Sequence, residues 1–163
     1  MNYLNAALIV LLAFLLIGCS SIRKAAAVSV VAQGTSMLPG IQDGEQLWVK
    51  PISAESRLEL HRGDLIVAHD PEYGTRSYVR RLIGLPGDTI EVRVGDVWIN
   101  GNKLSEPYID QQRFNVSKRS MAAVKIATGT YFVMADNRDN AGDSRIWGAI
   151  KASSVTGVVM ERP

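Results

Sequence analysis

The sequence predicts an all-β body, a coiled antiparallel sheet or partly open barrel, behind one N-terminal apolar helix. Two patterns carry this expectation. After residue 25 no segment sustains an apolar period of 3.6, while short runs rich in Val, Ile, Thr and Tyr recur between Gly, Pro and Asp. Before it, residues 6–19 are uncharged and almost wholly apolar.

The apolar run comes first. Its 14 residues fall short of the about 20 that a spanning helix needs, although residues 3–22 reach that length with polar ends in the headgroups. Two readings stand side by side. In one the run is an uncleaved membrane anchor. In the other it is an export signal ending in Leu16-Ile17-Gly18-Cys19-Ser20-Ser21, which is similar to a bacterial lipoprotein processing site and makes Cys19, the lone cysteine, the lipidation candidate. Arg23 and Lys24 directly after the run favour the cytoplasmic side for whatever follows an anchor. The chain therefore divides into residues 1–24, an anchor or lipoprotein-type signal, and residues 25–163, the folded domain.

Strands are expected at 28–32, 46–50, 64–69, 77–82, 89–94, 97–100, 130–135 and 155–161. Alternation is clearest in Ile90, Val92 and Val94, then Val97 and Ile99, which predicts a hairpin turning at Gly95-Asp96, with a second turn at Asn100-Gly101-Asn102. Residues 104–127 are the least regular stretch and are expected to form a long loop or a variable insertion.

Charge narrows the function. The chain has a net charge of +2, and Arg23 and Lys24 supply all of it, leaving 16 basic and 16 acidic side chains in residues 25–163. A neutral body speaks against nucleic acid as a partner, since phosphate binding draws on a cationic surplus. One cysteine and two histidines, His61 and His69, leave no disulfide framework and no metal cluster.

Three segments hold the chemistry. Gly34-Thr35-Ser36-Met37-Leu38-Pro39 places a serine on a turn after a strand, where hydroxyl and backbone N–H can be exposed together. Tyr78-Val79-Arg80-Arg81-Leu82-Ile83-Gly84-Leu85-Pro86-Gly87-Asp88 is a basic strand running into a Gly-Pro-Gly turn. Met134-Ala135-Asp136-Asn137-Arg138-Asp139-Asn140-Ala141-Gly142-Asp143-Ser144-Arg145 is dense in carboxylates, guanidinia and amides, a composition suited to a rigid, internally hydrogen-bonded loop.

In this order the segments resemble the type I (leader) signal peptidases, membrane-associated serine endopeptidases that remove signal peptides from exported proteins. Arg62-Gly63-Asp64, Ile99-Asn100-Gly101, Glu106-Pro107-Tyr108 and Trp147-Gly148 extend the likeness. The resemblance implies the coiled antiparallel fold, Ser36 as the nucleophile of an acyl-enzyme, and an active-site turn shaped by Gly34, Met37 and Pro39, with the Ser36 N–H in the oxyanion hole. It implies structural support from Arg81, Asp136, Arg138, Asp143, Ser144 and Arg145. It calls for no cofactor, and its partners are the membrane and the signal peptides of exported preproteins. It places the protein at the bacterial cell membrane, with the catalytic domain on the extracytoplasmic side.

Two positions depart from the family pattern. Arg80 stands where the family's general-base lysine belongs, and Ala141 where a serine commonly orients that lysine. A lysine starts near pKa ~10.4 and burial can bring it close to neutrality, whereas arginine starts at about 12.5 to 13.8. Bringing a guanidinium to neutrality costs on the order of 8 kcal/mol, so an arginine here is a fixed cation. His69, beside Asp70, and Lys50 are weaker alternatives as base. Three functions remain open: a peptidase acting through Ser36, a catalytically impaired relative that binds apolar peptides or preproteins, and a specialised peptidase for one conjugation or pilus substrate.

Overall fold

The computed structural model describes residues 27–69, 74, 76–110, 119–139 and 142–160. The expected N-terminal helix, Cys19, Arg23, Lys24, Asp70 and Ala141 lie outside these residues. Among the described residues no helix is long and apolar enough to cross a membrane.

Eleven strands, all paired antiparallel, form two sheets among the described residues. They are β1 (Val28–Val31), β2 (Gln46–Pro51), β3 (Leu65–His69), β4 (Ser77–Gly84), β5 (Thr89–Arg93), β6 (Asp96–Ile99), β7 (Asn102–Lys103), β8 (Met121–Lys125), β9 (Thr130–Met134), β10 (Ile150–Lys151) and β11 (Val155–Val159). One short helix, α1 (Ser144–Trp147), precedes β10. The larger sheet runs β1-β2-β11-β3-β4-β9-β10 and the smaller β7-β6-β5-β8.

Period-two burial builds both sheets. On β3, Ile66 and Ala68 are buried while their neighbours are less so, and Val67 pairs with Val79 of β4 on the opposite face. One face of the large sheet carries Ile66, Ala68, Leu82, Val133 and Val155; the other carries Leu47 and Val49 with Met37 and Ile41 from the turn after β1. A third cluster, with Phe132, Ile83, Ile90 and Val97, joins the two sheets. Fully burying each such side chain contributes about 1.5–3 kcal/mol.

The eight expected strands are present with boundaries within two residues, but two expectations change. The hairpin turns at Val94-Gly95, both with positive φ (49° and 92°), and Asp96 pairs with Arg93 instead of lying in the turn. That register sets Ile90 opposite Ile99 and lets the Asn100 N–H reach the Thr89 carbonyl. The second turn, at Asn100-Gly101, has positive φ at both residues, as a two-residue hairpin turn requires. The loop expected at 104–127 contains β8, paired to β5. Its sequence, Met-Ala-Ala-Val-Lys, lies on a sheet edge with four of five side chains exposed, so no alternation marks it.

The turn from β4 to β5 joins the sheets, and Asp88 pins it. Its carboxylate accepts from the Leu85 N–H (2.7 Å), the Asn100 amide (2.8 Å) and the Arg62 guanidinium (3.1 Å). Burial pushes the Asp88 carboxyl up, but these donors outweigh it and hold it below the usual carboxylate range. A carboxyl depressed on folding stabilises above its unfolded pKa of about 3.9 and loses that contribution as the pH falls through the folded value. Asp88→Asn is therefore expected to lower the thermal midpoint near pH 6, with the gap to wild type closing as the pH falls below about 4. A pH series of thermal melts on both proteins checks this.

Candidate active site

β1 and β4 are separated by three strands in the sheet order, yet residues from the end of β1 and from β4 line one groove of about 280 Å³. The large sheet therefore curls until its first strand faces its fifth. Val67 and Val79 form part of the groove's floor, and Ser36 and Arg80 lie in its wall.

Ser36 sits half-buried on the turn that leaves β1. Gly34 opens the turn with φ +82°, a conformation that favours glycine, and its N–H donates to the Asp43 carboxylate at 2.7 Å. Met37 and Ile41 anchor the turn in the core, and the Ile41 N–H donates to the Met37 carbonyl at 2.8 Å. Pro39 follows a cis peptide bond and accepts from the Gln42 amide at 2.9 Å.

Arg80 is buried and donates from Nη1 to the Ser36 Oγ at 3.0 Å. The same nitrogen donates to the Val79 carbonyl at 2.6 Å, and Nε and Nη2 both donate to the Gly142 carbonyl, at 3.0 and 2.8 Å. The Tyr78 and Trp147 rings flank the guanidinium, with centroids 5.0 and 5.9 Å from Cζ. Gly142 must be small here, since a Cβ would stand 2.6 Å from the Trp147 ring. Tyr78, Gly142 and Trp147 were not among the sequence candidates, although all three lie in or beside the quoted motifs.

The polar loop after β9 clamps this turn through a residue that sequence reasoning missed. The Asn137 N–H donates to the Ser36 carbonyl (2.9 Å) and its side-chain amide to the Thr35 carbonyl (3.1 Å). Its place among charged neighbours was the available signal. Asp136 takes Arg81 in a fork, Nε to Oδ1 at 2.8 Å and Nη2 to Oδ2 at 2.5 Å. Arg81 also donates to the Gly63 carbonyl at 2.8 Å and lies 3.9 Å from the Tyr108 ring centroid. Burial alone would lower the Arg81 pKa; the Asp136 carboxylate more than offsets it and holds Arg81 above the usual arginine range. Burial, reinforced by Glu106, which accepts from the Tyr108 hydroxyl at 2.7 Å, pushes the Tyr108 phenol far up, so it stays protonated.

Arg138 turns away from Ser36. Its guanidinium pairs with Glu106 through both terminal nitrogens and donates from Nε to the Ala135 carbonyl at 2.9 Å. Asp143, fully buried, accepts from the Ala135 and Arg145 N–H groups, both at 3.0 Å, and from Arg145 Nε and Nη2 at 2.9 and 2.7 Å. Arg145 Nη1 continues to the Arg138 carbonyl at 2.9 Å, and Ser144 Oγ accepts from the Val133 N–H at 3.0 Å. The described residues of the loop are thus extensively hydrogen-bonded to one another.

The alternative bases lie elsewhere. His69, exposed at the end of β3, has its Nδ1 3.3 Å from the Ser77 Oγ and makes no hydrogen bond to Ser36. Lys50 is exposed on β2. Among the described residues no three His, Cys, Asp or Glu side chains gather as metal ligands.

A serine on a glycine-led turn, a basic side chain against its hydroxyl and a polar loop bonded to that turn stand together beside the curled antiparallel sheet. The profile of the family described as signal peptidase, peptidase S26, matches residues 2–162, and the chain belongs to that family. It is 41% identical over 118 residues to signal peptidase I U of Bacillus subtilis (strain 168), covering 69% of this chain and 62% of that protein. It is 40% identical over 122 residues to signal peptidase I of Bacillus licheniformis, covering 71% and 64%. Among solved structures, a signal peptidase I from Enterococcus faecalis V583 is 36% identical with a TM-score of 0.56, covering 62% of this chain and 97% of that one. The chain thus spans less than two thirds of the length of these curated relatives.

Proposed function

We propose that the protein is a signal peptidase I-type serine endopeptidase that cleaves the signal peptides of exported preproteins through a Ser36 acyl-enzyme. The observation that carries this is the 3.0 Å bond from Arg80 to the Ser36 hydroxyl at the side of an apolar groove, in a chain of this family. An extended peptide lies in the groove with its scissile carbonyl at Ser36. Residues 1–24 serve as the membrane anchor or lipoprotein signal, and residues 25–163 as the catalytic domain on the extracytoplasmic side.

Arg80 sets the mechanism. A guanidinium has five donors and no acceptor, so it cannot take the Ser36 proton. It stabilises negative charge on Oγ instead. Ser36 loses its proton to hydroxide, Oγ attacks the carbonyl carbon, and the tetrahedral oxyanion forms within reach of the turn's backbone N–H groups. Collapse breaks the C–N bond, water supplies the proton of the leaving amine, and a second water hydrolyses the ester. Asp136, Asn137, Asp143 and Arg145 hold the loop that fixes Ser36 and Arg80 in register.

The same donor-only seat favours a second reading, a relative that binds preproteins without turnover. Full-length protein in detergent, incubated with a preprotein whose signal ends in small residues, separates the two. Release of the mature protein by wild type and none by Ser36→Ala is the expected outcome, read by mass spectrometry of the cleavage site. Binding with no release by either form supports the second reading.

A further inference from the structure

Among the described residues that line the groove, Arg80 alone is charged. Gln33, Ser36, Ser77 and Tyr78 are its neutral polar side chains, and the rest of the lining is apolar. A guanidinium only donates, so the Ser36 Oγ is the acceptor in its 3.0 Å contact with Arg80 Nη1. The hydroxyl keeps its own proton to donate, and an acceptor on a ligand in the groove is within its reach. Accepting from a cation polarises the O–H and strengthens it as a donor. The carboxylates on the segments around Ser36 are already engaged, Asp43 by the Gly34 N–H and Asp136 by Arg81. The Val79 and Gly142 carbonyls that hold Arg80 carry no charge to cancel its own.

We propose that Ser36 and Arg80 form a carboxylate seat, by which the groove holds apolar peptides through a free C-terminal carboxylate. This rests on the groove being the peptide site, and it applies to a peptidase and to a binding relative alike. An α-carboxyl titrates at about 3.3–3.7 and arginine stays protonated, so both charges are present at neutral pH. The carboxylate accepts from the Ser36 hydroxyl with the guanidinium directly behind it. A carboxamide in the same place gains the hydroxyl bond and not the attraction between charges. Where the chain cleaves, water adds to the ester carbon, the C–Oγ bond breaks, Oγ regains a proton and the acid loses one to solvent. The carboxylate is thus made at the seat that holds it, and the cleaved peptide competes with the next substrate.

The test uses two fluorescent apolar peptides ending in Ala, identical except for a free C-terminal carboxylate or a carboxamide. They are titrated against the full chain in detergent, with mass spectrometry confirming that both stay intact. The acid is expected to bind about tenfold tighter than the amide, the low end for a hydrogen bond to a charged group. The preference is expected to vanish in Arg80→Gln, which keeps an amide donor and loses the charge. It is expected to shrink in Ser36→Ala, which keeps the charge and loses the hydroxyl. Ser36 is half-buried on a turn, so Ser36→Ala is expected to fold even where Arg80→Gln does not. Equal binding of acid and amide, or a preference unchanged in either folded variant, overturns the seat and leaves the groove as peptide site. Failure of both peptides to bind overturns the groove reading and this inference together.

Discussion

Arg80→Lys is expected to raise kcat/KM on a signal-peptide substrate by about 100-fold. A neutral lysine amine can accept the Ser36 proton and an arginine cannot, and a positioned general base contributes roughly 10²–10⁴ in rate. The low end applies because the seat favours a cation. The carbonyls of Val79 and Gly142 that bond Arg80 hold a lysine in its charged form, and residue 141 is alanine, whose side chain offers a lysine no hydrogen bond. Ala141→Ser added to Arg80→Lys is expected to raise the rate further. A quenched-fluorescence peptide assay on the three proteins measures both steps. An unchanged rate in both variants would show that proton transfer is not what limits the unsubstituted protein.

Asp143→Ala is expected to unfold much of the site. The carboxylate is fully buried, caps α1 and takes four donors, two from the Arg145 guanidinium. Removing it strands a largely buried cation, a loss of about 3–5 kcal/mol against a typical domain stability of about 5–15 kcal/mol. Urea unfolding followed by tryptophan fluorescence gives the difference directly. Trp147, at the end of α1, reports on the loop itself. Asp139→Ala serves as the comparison on the same loop, and a loss at Asp143 no greater than the loss at Asp139 would contradict the central place given to Asp143.

How far the sequence could be read depended on what each segment buries. β3, β5 and β6 alternate between core and surface, so Ile66, Ala68, Ile90, Val92, Val97 and Ile99 announce their strands. β8 does not, because its backbone pairs with β5 while its side chains face outward, and pattern follows burial rather than hydrogen bonding. The hairpin turn was misplaced by one residue because both registers put valines and isoleucines on the same face. The observed register is the one in which Thr89 and Asn100 bond to each other, and those bonds are invisible in a hydropathy pattern. At the site, Ser36 and Arg80 were legible because residue type limits their chemistry. Asn137 and Gly142 were not, since they act through backbone carbonyls and a close approach to Trp147 that no single residue type betrays.

The central claim is that Ser36 works beside a cation that stabilises charge and takes no proton. The pH dependence of kcat/KM for the wild-type protein between pH 6 and 10 tests it most directly. With hydroxide as the proton acceptor, the rate is expected to climb about tenfold per pH unit without a plateau. A curve that levels off after one inflection in that range would reveal a titrating general base at Ser36 and contradict the account.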